Sequence, residues 1–316
     1  MGGIKIAFGG AAIRPDRGFN QESMDELFEV LKSGGVEIID TAQLYGPSEG
    51  ILGKARAGDK FTIDTKATGG FVPGSGTKDG IINGLKQSLE DLHVKKVDIF
   101  YLHAPDSSVP LSETLAGINE GYKAGGFARF GLSNYKAEDV QKVYDHCKEN
   151  GYVLPTVYQG NYSPVARRQE TLLFPTLRKL GIAFYAYSPL AGGFLTKTKQ
   201  DVLDGKGRFD PNTPIGAMYA GMYSKPAYLE ALEQWDAIAK EEGTSKADLA
   251  YRWVRYNSPL SPEHGDCIIV GASSMEQLKQ TLEGTNAGPL SKNAVQKIDE
   301  VWKTIEHEAP LDNYHR

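Results

Sequence analysis

The sequence predicts an α/β fold in which eight strand–helix units close into a (β/α)8 TIM barrel. Short apolar runs, typical of buried parallel strands, alternate with helical patterns along the 316 residues. We count eight such runs, each followed by a helix directly or after a loop, and right-handed crossovers can close eight parallel units into a barrel. A doubly wound dinucleotide-binding sheet is the rival fold, but the Gly-x-Gly-x-x-Gly pattern that it requires does not follow the first run.

The strands are predicted from the apolar runs, and the helices from amphipathic spacing between them. The predicted strands span residues 4–8, 36–39, 61–66, 97–102, 127–132, 156–159, 182–187 and 267–270. The predicted helices span residues 21–33, 48–55, 77–92, 111–123, 137–150, 167–180, 226–242, 245–256, 275–284 and 292–308. In the first helix, for example, Met24, Leu27, Phe28 and Leu31 recur at the spacing of one helical face.

The strand–helix alternation breaks after the seventh strand. Residues 190–223 are rich in glycine and lysine and show no clear period, so we predict a long loop there, with extra helices toward the C-terminus. Residues 68–76 form a second, Gly/Pro-rich loop that is suited to an active-site wall or lid. We expect one domain that spans residues 1–316.

Composition and charge argue against several classes of function. Lysine and arginine number 35 and aspartate and glutamate 40, which gives a net charge of −5, so we expect no nucleic-acid partner. No apolar run approaches the roughly 18 residues that a membrane span needs, and the N-terminus lacks the apolar core of a signal peptide. Cys147 and Cys267 form neither a metal motif nor a disulfide framework. These features predict a cytoplasmic protein without a metal or a membrane partner.

Polar side chains stand where three predicted strands end. Asp40 follows the second strand, Lys66 ends the third and His103 follows the fourth, while Tyr45 comes five residues after Asp40. In a barrel all strand C-termini share one face, so we expect these four side chains to meet at one rim. Taken alone, Asp40 could be a turn former, His103 a loop hydrogen-bond partner and Tyr45 a packing residue. Lys66 needs a partner in any case, because a buried ammonium group is costly.

Together the four residues suggest general acid catalysis on a carbonyl group. A free tyrosine has a pKa of about 10, and a neighbouring lysine ammonium favours its phenolate. Asp40 can pair with Lys66 and make that charge tolerable to bury, while His103 can orient a carbonyl oxygen. The carbonyl carbon then needs a hydride, which a cofactor must supply.

Residues at the later strand ends are suited to hold such a cofactor. Ser133, Asn134 and Gln159 offer donors and acceptors for a carboxamide, and Tyr187 offers an aromatic face for a flat ring. Residues 271–274 lie between the last strand and a helix N-terminus, which is an arrangement that binds anions. A plain loop with a helix cap explains the same four residues.

Taken as a set, these residues resemble those of the aldo-keto reductases over nearly the whole chain. The matching stretches are Asp40-Thr41-Ala42-x-x-Tyr45-Gly46, Lys66, His103, Gly131-Leu132-Ser133-Asn134-Tyr135 and Tyr187-Ser188-Pro189-Leu190, in the family's order. Three further stretches resemble the aflatoxin-aldehyde reductase branch, namely Leu154-Pro155-Thr156-Val157-Tyr158-Gln159-Gly160, Leu190-Ala191-Gly192-Gly193 and Asn313-Tyr314-His315-Arg316.

The resemblance implies an NADPH-dependent reductase of aldehydes, with ketones as a further substrate class. It implies that Tyr45 donates a proton, that Asp40 and Lys66 tune it, and that His103 orients the carbonyl. The implied cofactor contacts are Ser133, Asn134 and Gln159 at the carboxamide, Tyr187 at the nicotinamide, Ser188, Leu190 and Gly192 at the pyrophosphate, Arg208 over the cofactor, and Gly271, Ser273, Ser274 and Gln277 around the adenosine 2′-phosphate.

The sequence departs from the family pattern around the implied 2′-phosphate site. Many members carry lysine where Gly271 stands and arginine where Gln277 stands, so the preference for NADPH over NADH rests on weaker contacts here. The substrate side is less well marked. Phe71, Tyr219, Met222 and Tyr223 are candidates for an apolar pocket and Arg316 for attracting a substrate carboxylate, although loop packing or a solvated terminus explains them equally.

Two other classes of function stay open at the level of the sequence. Channel-associated subunits that resemble this family keep the barrel and cofactor but serve as binding modules, which predicts a stoichiometric membrane partner. A barrel isomerase or lyase would use Lys66 as a Schiff-base amine, which predicts borohydride trapping of substrate on that residue. The leading hypothesis predicts a small-molecule carbonyl substrate, and the resembled branch favours homodimers.

Overall fold

The computed structural model describes residues 3–16 and 18–315, and its centre is a closed barrel of eight parallel strands. Each strand is hydrogen-bonded to the next in chain order, and the last strand pairs with the first. Helices connect the strands, as parallel pairing requires. The predicted (β/α)8 barrel is confirmed.

The strands begin and end close to the predicted positions. They are β1 Lys5–Gly9, β2 Ile38–Asp40, β3 Thr62–Ala67, β4 Val97–Leu102, β5 Phe127–Ser133, β6 Pro155–Asn161, β7 Ala183–Tyr187 and β8 Cys267–Val270. The apolar runs therefore located every strand, while their bounds differ by one or two residues because a strand ends where pairing ends and not where apolar residues end.

The helices surround the barrel. They are α1 Met24–Ser33, α2 Ser48–Lys54, α3 Lys78–Asp91, α4 Leu111–Lys123, α5 Ala137–Glu149, α6 Gln169–Leu172, α7 Phe174–Leu180, α8 Lys199–Leu203, α9 Pro214–Tyr223, α10 Pro226–Glu242, α11 Lys246–Arg252, α12 Met275–Thr285 and α13 Lys292–Ile305. The prediction of a single helix over residues 167–180 is wrong, because the helix is interrupted at Leu173 and a proline lies in the first turn of α7.

The connection after β7 is long, as predicted, but it is not structureless. It contains a 3₁₀ segment at Ala191–Thr196, then α8, a 3₁₀ turn at Gly207–Phe209, and α9. The Thr213 side chain caps α9, and Pro214 occupies its first turn. Sequence periodicity missed α9 because most of its residues are apolar, so that no polar face alternates with an apolar one.

Two apolar clusters pack on the two sides of the barrel wall. The larger one fills the space between the strands and the helices. The smaller one comprises Ala7, Ile38, Ile99, Tyr101, Val157, Ala183, Tyr185, Cys267 and Ile269, which alternate with the outward-facing residues of their strands and therefore fill the barrel interior. Among the described residues, no helix is both long and apolar enough to cross a membrane.

A buried carboxylate links the last two strands of the barrel and the helix between the sixth and seventh strands. Asp266, which is 1% exposed, stands immediately before β8. Its oxygens accept hydrogen bonds from the backbone N–H of Phe184 at 2.7 Å and of Ser261 at 2.9 Å. They also accept two bonds from the Arg178 guanidinium, at 2.9 and 2.6 Å. Asp266 thus joins β7, α7 and the approach to β8.

We expect the Asp266→Ala variant to be strongly destabilised. It leaves Arg178 and two backbone donors without their acceptor, and breaking a buried pair of this kind costs about 3 kcal/mol. The midpoint of guanidinium unfolding should fall accordingly. Asp59→Ala is the matched control, because its pair with Arg56 is exposed and such pairs contribute little. Equal midpoints for the two variants would contradict this account.

Candidate active site

A buried lysine–carboxylate pair occupies the carboxyl end of the barrel. The Lys66 side chain is fully buried, and its Nζ lies 2.5 Å from Asp40 Oδ2 and 2.8 Å from the backbone oxygen of Thr41. The other oxygen of Asp40 accepts a hydrogen bond of 2.9 Å from Gln159 Nε2. β2, β3 and β6 each contribute one member, so the ends of three strands are joined through the Asp40 carboxylate.

Tyr45 lies directly beside this pair. It belongs to a single 3₁₀ turn, Gln43–Tyr45, that follows β2 and ends at Gly46, whose φ of 61° suits glycine. The Lys66 Nζ is 5.1 Å from the centre of the Tyr45 ring. The His103 ring is 5.9 Å from the Tyr45 ring. The structure therefore brings Asp40, Tyr45, Lys66 and His103 together.

The electrostatic balance at Tyr45 differs from the expectation based on Lys66 alone. Burial raises the pKa of the Tyr45 phenol above its ordinary value of 10.0; the charge of Lys66 opposes this rise, while the charge of Asp40 raises the pKa further. Burial would lower the pKa of the Lys66 ammonium, but Asp40 and Tyr45 outweigh burial and raise it. The pair is therefore a protonated phenol beside a charged amine, which is the state of a proton donor.

His103 is held as a neutral imidazole on the other side of the pocket. Burial lowers the pKa of this imidazole well below its ordinary value of 6.5, and the charge of Lys66 lowers it further. Its Nδ1 is buried and has no hydrogen-bond partner among the described residues. The Phe71 ring covers it edge-on at 5.1 Å. His103 as a whole is only half-buried, so a neutral imidazole here is able to bond an incoming polar group through its other ring nitrogen.

The side chains expected at a carboxamide form a hydrogen-bonded set. Asn134 has a φ of 58°, a left-handed conformation in which its amide nitrogen donates to the His103 backbone oxygen at 2.9 Å and to Ser133 Oγ at 3.2 Å. Its amide oxygen accepts a bond of 2.8 Å from the Tyr187 hydroxyl. The structure thus groups Ser133, Asn134 and Tyr187, whereas the Gln159 amide nitrogen is directed to Asp40.

The turn after β7 has an unusual backbone. Ser188, Ala191 and Gly192 have φ values of 56°, 52° and 70°. A Cβ at Gly192 would lie only 2.1 Å from Cε1 of Tyr219, so no side chain fits there. Tyr219 is 5% exposed and contributes to the electrostatic environment of Tyr45, so it links this turn to the pocket. Leu190, in the same turn, is partly exposed.

The segment before α12 is built around Gln277. Its amide oxygen accepts bonds of 2.7 Å from both the backbone N–H and the hydroxyl of Ser273. Ser274 caps the helix by accepting from the Gln277 N–H at 3.2 Å. Gly271 is exposed, and nothing lies within 4 Å of a Cβ built on it. Arg208 is exposed on its 3₁₀ turn, away from this group in sequence.

The C-terminal tail contributes groups that the residue patterns did not predict. The Tyr314 hydroxyl donates to the Pro105 backbone oxygen at 2.9 Å, and its ring contacts the Phe71 ring at 5.2 Å. The Asn313 N–H donates to the Tyr187 hydroxyl at 3.3 Å. Residues Asn313–His315 belong to the stretch that resembles the aflatoxin-aldehyde reductase branch. That resemblance was the sequence feature that could have pointed to these contacts. Arg316, the proposed carboxylate contact, lies outside the described residues.

The remaining substrate candidates differ in exposure. Phe71 is 39% exposed beside His103. Tyr223 is fully buried, stacks on Phe194 at 5.5 Å, and its hydroxyl accepts a 3.4 Å bond from Asn161 Nδ2. Phe71 is therefore accessible beside His103, while Tyr223 is packed inside the connection after β7.

A barrel that gathers a proton donor, its charged neighbour and a neutral imidazole at the carboxyl rim has the arrangement of an enzyme active site. The chain matches the model of the Aldo/keto reductase family over residues 5–303 and belongs to this family. It is therefore an oxidoreductase that depends on NAD(P), the cofactor that the family generally uses.

Several relatives are similar to this chain over most of their length. The chain is 41% identical to the oxidoreductase sirO of Leptosphaeria maculans, covering 90% of this chain and 87% of that protein. It is 41% identical to aflatoxin B1 aldehyde reductase member 4 of Homo sapiens, covering 89% and 88%. It is 37% identical to aflatoxin B1 aldehyde reductase member 2 of Rattus norvegicus, covering 98% and 90%. The resemblance to the aflatoxin-aldehyde reductase branch is confirmed.

We expect His103 to make the fold sensitive to acid. Unfolding releases its imidazole to an ordinary pKa of about 6.5, so below that pH the unfolded state takes up the proton first and stability falls until the folded pKa is reached. Denaturant midpoints measured from pH 7 to pH 5 should therefore fall more steeply for wild type than for His103→Gln. Parallel curves would show that His103 is not held neutral.

Proposed function

We propose that the protein reduces aldehydes to alcohols with NADPH and that Tyr45 is the proton donor. The observation that carries this proposal is the convergence of Tyr45, Lys66, Asp40 and His103 at one rim, with Lys66 Nζ 5.1 Å from the Tyr45 ring. The names of the aldehyde reductases among the relatives support the substrate class. Ketones are a further class that the same chemistry admits.

Three side chains of the protein have different roles in the reduction of the carbonyl group. His103, as a neutral imidazole, orients and polarises the carbonyl oxygen. Tyr45 gives its hydroxyl proton to the same oxygen as negative charge develops there. Lys66, charged because Asp40 compensates it, stabilises the phenolate that remains. When bound, the dihydronicotinamide supplies the hydride.

The residues at the rim fit a nicotinamide dinucleotide. The Asn134 and Ser133 side chains form a polar pair suited to the carboxamide, and the left-handed turn after β7 brings backbone close to the pocket where only glycine fits. The residues that would hold NADPH are Ser133, Asn134 and Gln159 at the carboxamide, Tyr187 at the nicotinamide ring, Ser188, Leu190 and Gly192 at the pyrophosphate, Arg208 over the cofactor, and Gly271, Ser273, Ser274 and Gln277 at the adenosine end.

The pocket walls favour an aromatic or apolar aldehyde. The Phe71 ring lies beside His103, and Tyr219 reaches the surroundings of Tyr45 from α9. Tyr314 packs against Phe71 and narrows the opening from the side of the tail. Rings of this kind bury apolar substrate surface and stack on aromatic groups. Benzaldehyde and related aromatic aldehydes are therefore suitable substrates for testing the proposed function.

The Tyr45→Phe variant should lose turnover and keep its cofactor affinity. Replacing the phenol removes the proton donor, and positioned acids of this kind contribute about 10²- to 10⁴-fold to the rate. The measurement is NADPH oxidation with benzaldehyde, alongside NADPH binding by fluorescence.

Tyr122→Phe is the matched control for this experiment, because Tyr122 is 41% exposed on α4 and its loss should leave the rate unchanged. If wild type and Tyr45→Phe bind NADPH and are equally inactive across a panel of aldehydes, the reductase proposal fails. The binding-module alternative then becomes the better account.

The Gly271→Lys variant should bind NADPH more tightly and NADH unchanged. Gly271 is exposed with open space around its Cβ, so a lysine fits there and adds a positive charge near the proposed 2′-phosphate site. We expect a gain in NADPH affinity on the order of tenfold, the size of one charge-assisted contact. Gly271→Met controls for side-chain length without charge. Equal changes for NADPH and NADH would argue against this site.

A further inference from the structure

The interior of the barrel directly below the active site is polar, although barrels of this kind are usually filled by branched apolar side chains. Asp64 lies two residues before Lys66 on β3, and therefore on the same side of the strand, and it is the register partner of Asp40 on β2. Tyr101 faces the same space from β4, since its ring centre is 5.7 Å from Lys66 Nζ. Asp64 and Tyr101 are both fully buried.

Two oxygen atoms in this space have no partner. Asp64 Oδ1 accepts a 3.1 Å bond from the Ile99 N–H, but Asp64 Oδ2 and the Tyr101 hydroxyl make no hydrogen bond within residues 3–16 and 18–315. An unsatisfied buried polar group costs about 1–3 kcal/mol. Ordered water bound to such groups is the usual solution in protein interiors.

Further polar groups lie toward the opposite end of the barrel, where Tyr185 packs in the same interior cluster as Tyr101. The Tyr185 hydroxyl accepts a 3.4 Å bond from Arg129 Nη2. Arg129 in turn makes a two-point contact with Asp98, at 3.1 and 2.6 Å. The side chains of Arg129 and Asp98 are 36% and 26% exposed, so they meet solvent. We call Asp98, Arg129, Tyr185, Tyr101 and Asp64 the polar column.

The charges around Asp64 favour its protonated form. Burial raises the pKa of the Asp64 carboxyl well above its ordinary value, and the carboxylates of Asp40 and Asp98 raise it further, while Arg129 opposes them. The other titratable groups that face this space are Tyr101, Tyr185, Cys267 and Lys66, with Lys5 near Cys267. The Lys66 ammonium is paired with Asp40, and the Asp64 carboxyl forms no ion pair with any other side chain in the part of the chain that the structure describes.

We propose that the polar column holds ordered water and returns a proton to Tyr45 after each turnover. This inference rests on the proposed function. In the reduction the O–H bond of Tyr45 breaks and the alcohol O–H bond forms. The phenolate then takes a proton from the Lys66 ammonium, and the Lys66 amine takes one from the Asp64 carboxyl through the Tyr101 hydroxyl and the ordered water beside it. The Asp64 carboxylate takes its proton from solvent through the end at Tyr185 and Arg129. One solvent proton is consumed per carbonyl reduced, and no electrons move in these steps.

The column has a specific kinetic consequence. Tyr45 already carries its proton before the first turnover, so loss of the column does not affect that turnover. Every later turnover depends on proton return. Asp64→Asn keeps the shape of the side chain but removes the transferable proton, and Tyr101→Phe removes only the hydroxyl. These two variants therefore separate the proton-transfer role of Asp64 from a general effect on the fold.

The test compares the first turnover with the steady state for NADPH and benzaldehyde. In Asp64→Asn and in Tyr101→Phe we expect a first-turnover rate equal to that of wild type and a steady-state rate lower by roughly tenfold or more, which gives a burst of one NADPH oxidised per site. Imidazole buffer, a small proton donor, should restore the steady-state rate. Val157→Ala, an apolar change in the same interior cluster, should give neither burst nor rescue.

The proposal is overturned if both variants change the first and later turnovers equally, or if neither variant shows a burst that imidazole removes. Either result would make Asp64 and Tyr101 structural. Failure of wild type itself to oxidise NADPH with any aldehyde is a different result, because it rejects the proposed function before the column is tested. Tyr101→Phe decides the outcome if Asp64→Asn does not fold.

Discussion

The buried pair between Lys66 and Asp40 is the interaction on which the carboxyl end of this barrel depends. An ammonium group with no solvent contact is tolerated only when a carboxylate and further hydrogen bonds surround it, and Thr41 and Gln159 complete that set. The same positive charge acts on both neighbouring acids: it opposes the effect of burial on Tyr45 and helps to keep His103 neutral. Burial and this one cation together therefore set the protonation of Tyr45 and His103.

On a barrel, this arrangement needs only short stretches of sequence. β2 has three residues and ends on Asp40, and one 3₁₀ turn carries the chain to Tyr45. Because neighbouring parallel strands end at the same level, a single polar residue at the end of each strand is enough to build a cluster. The alternation of side chains also puts Asp64 one layer below Lys66, so the register that builds the rim also gives the barrel a polar interior.

Much of this could be predicted from sequence, because the relevant signals are local. Each buried strand is an apolar run, and the polar residue that follows or ends the run can be identified in the sequence. Asp40, Lys66 and His103 were therefore predicted to lie at one face of the barrel. Helix α9 escaped prediction because it is apolar on nearly all sides and leaves no periodic pattern. The contacts of Tyr314 and Asn313 depend on where the tail packs, which is a long-range property. The pKa of Tyr45 likewise depends on burial, which outweighs the adjacent charge.

The tail has a practical consequence for handling the protein. Residues 309–315 are fastened to the carboxyl end of the barrel by bonds from Gln169 to Leu311 and from Tyr314 to Pro105. Gly3 stands at the other end of the barrel, close to Tyr256, just before β1. An affinity tag fused behind the tail would emerge beside the pocket opening and compete with substrate for space. A tag at the amino end would leave the opening free.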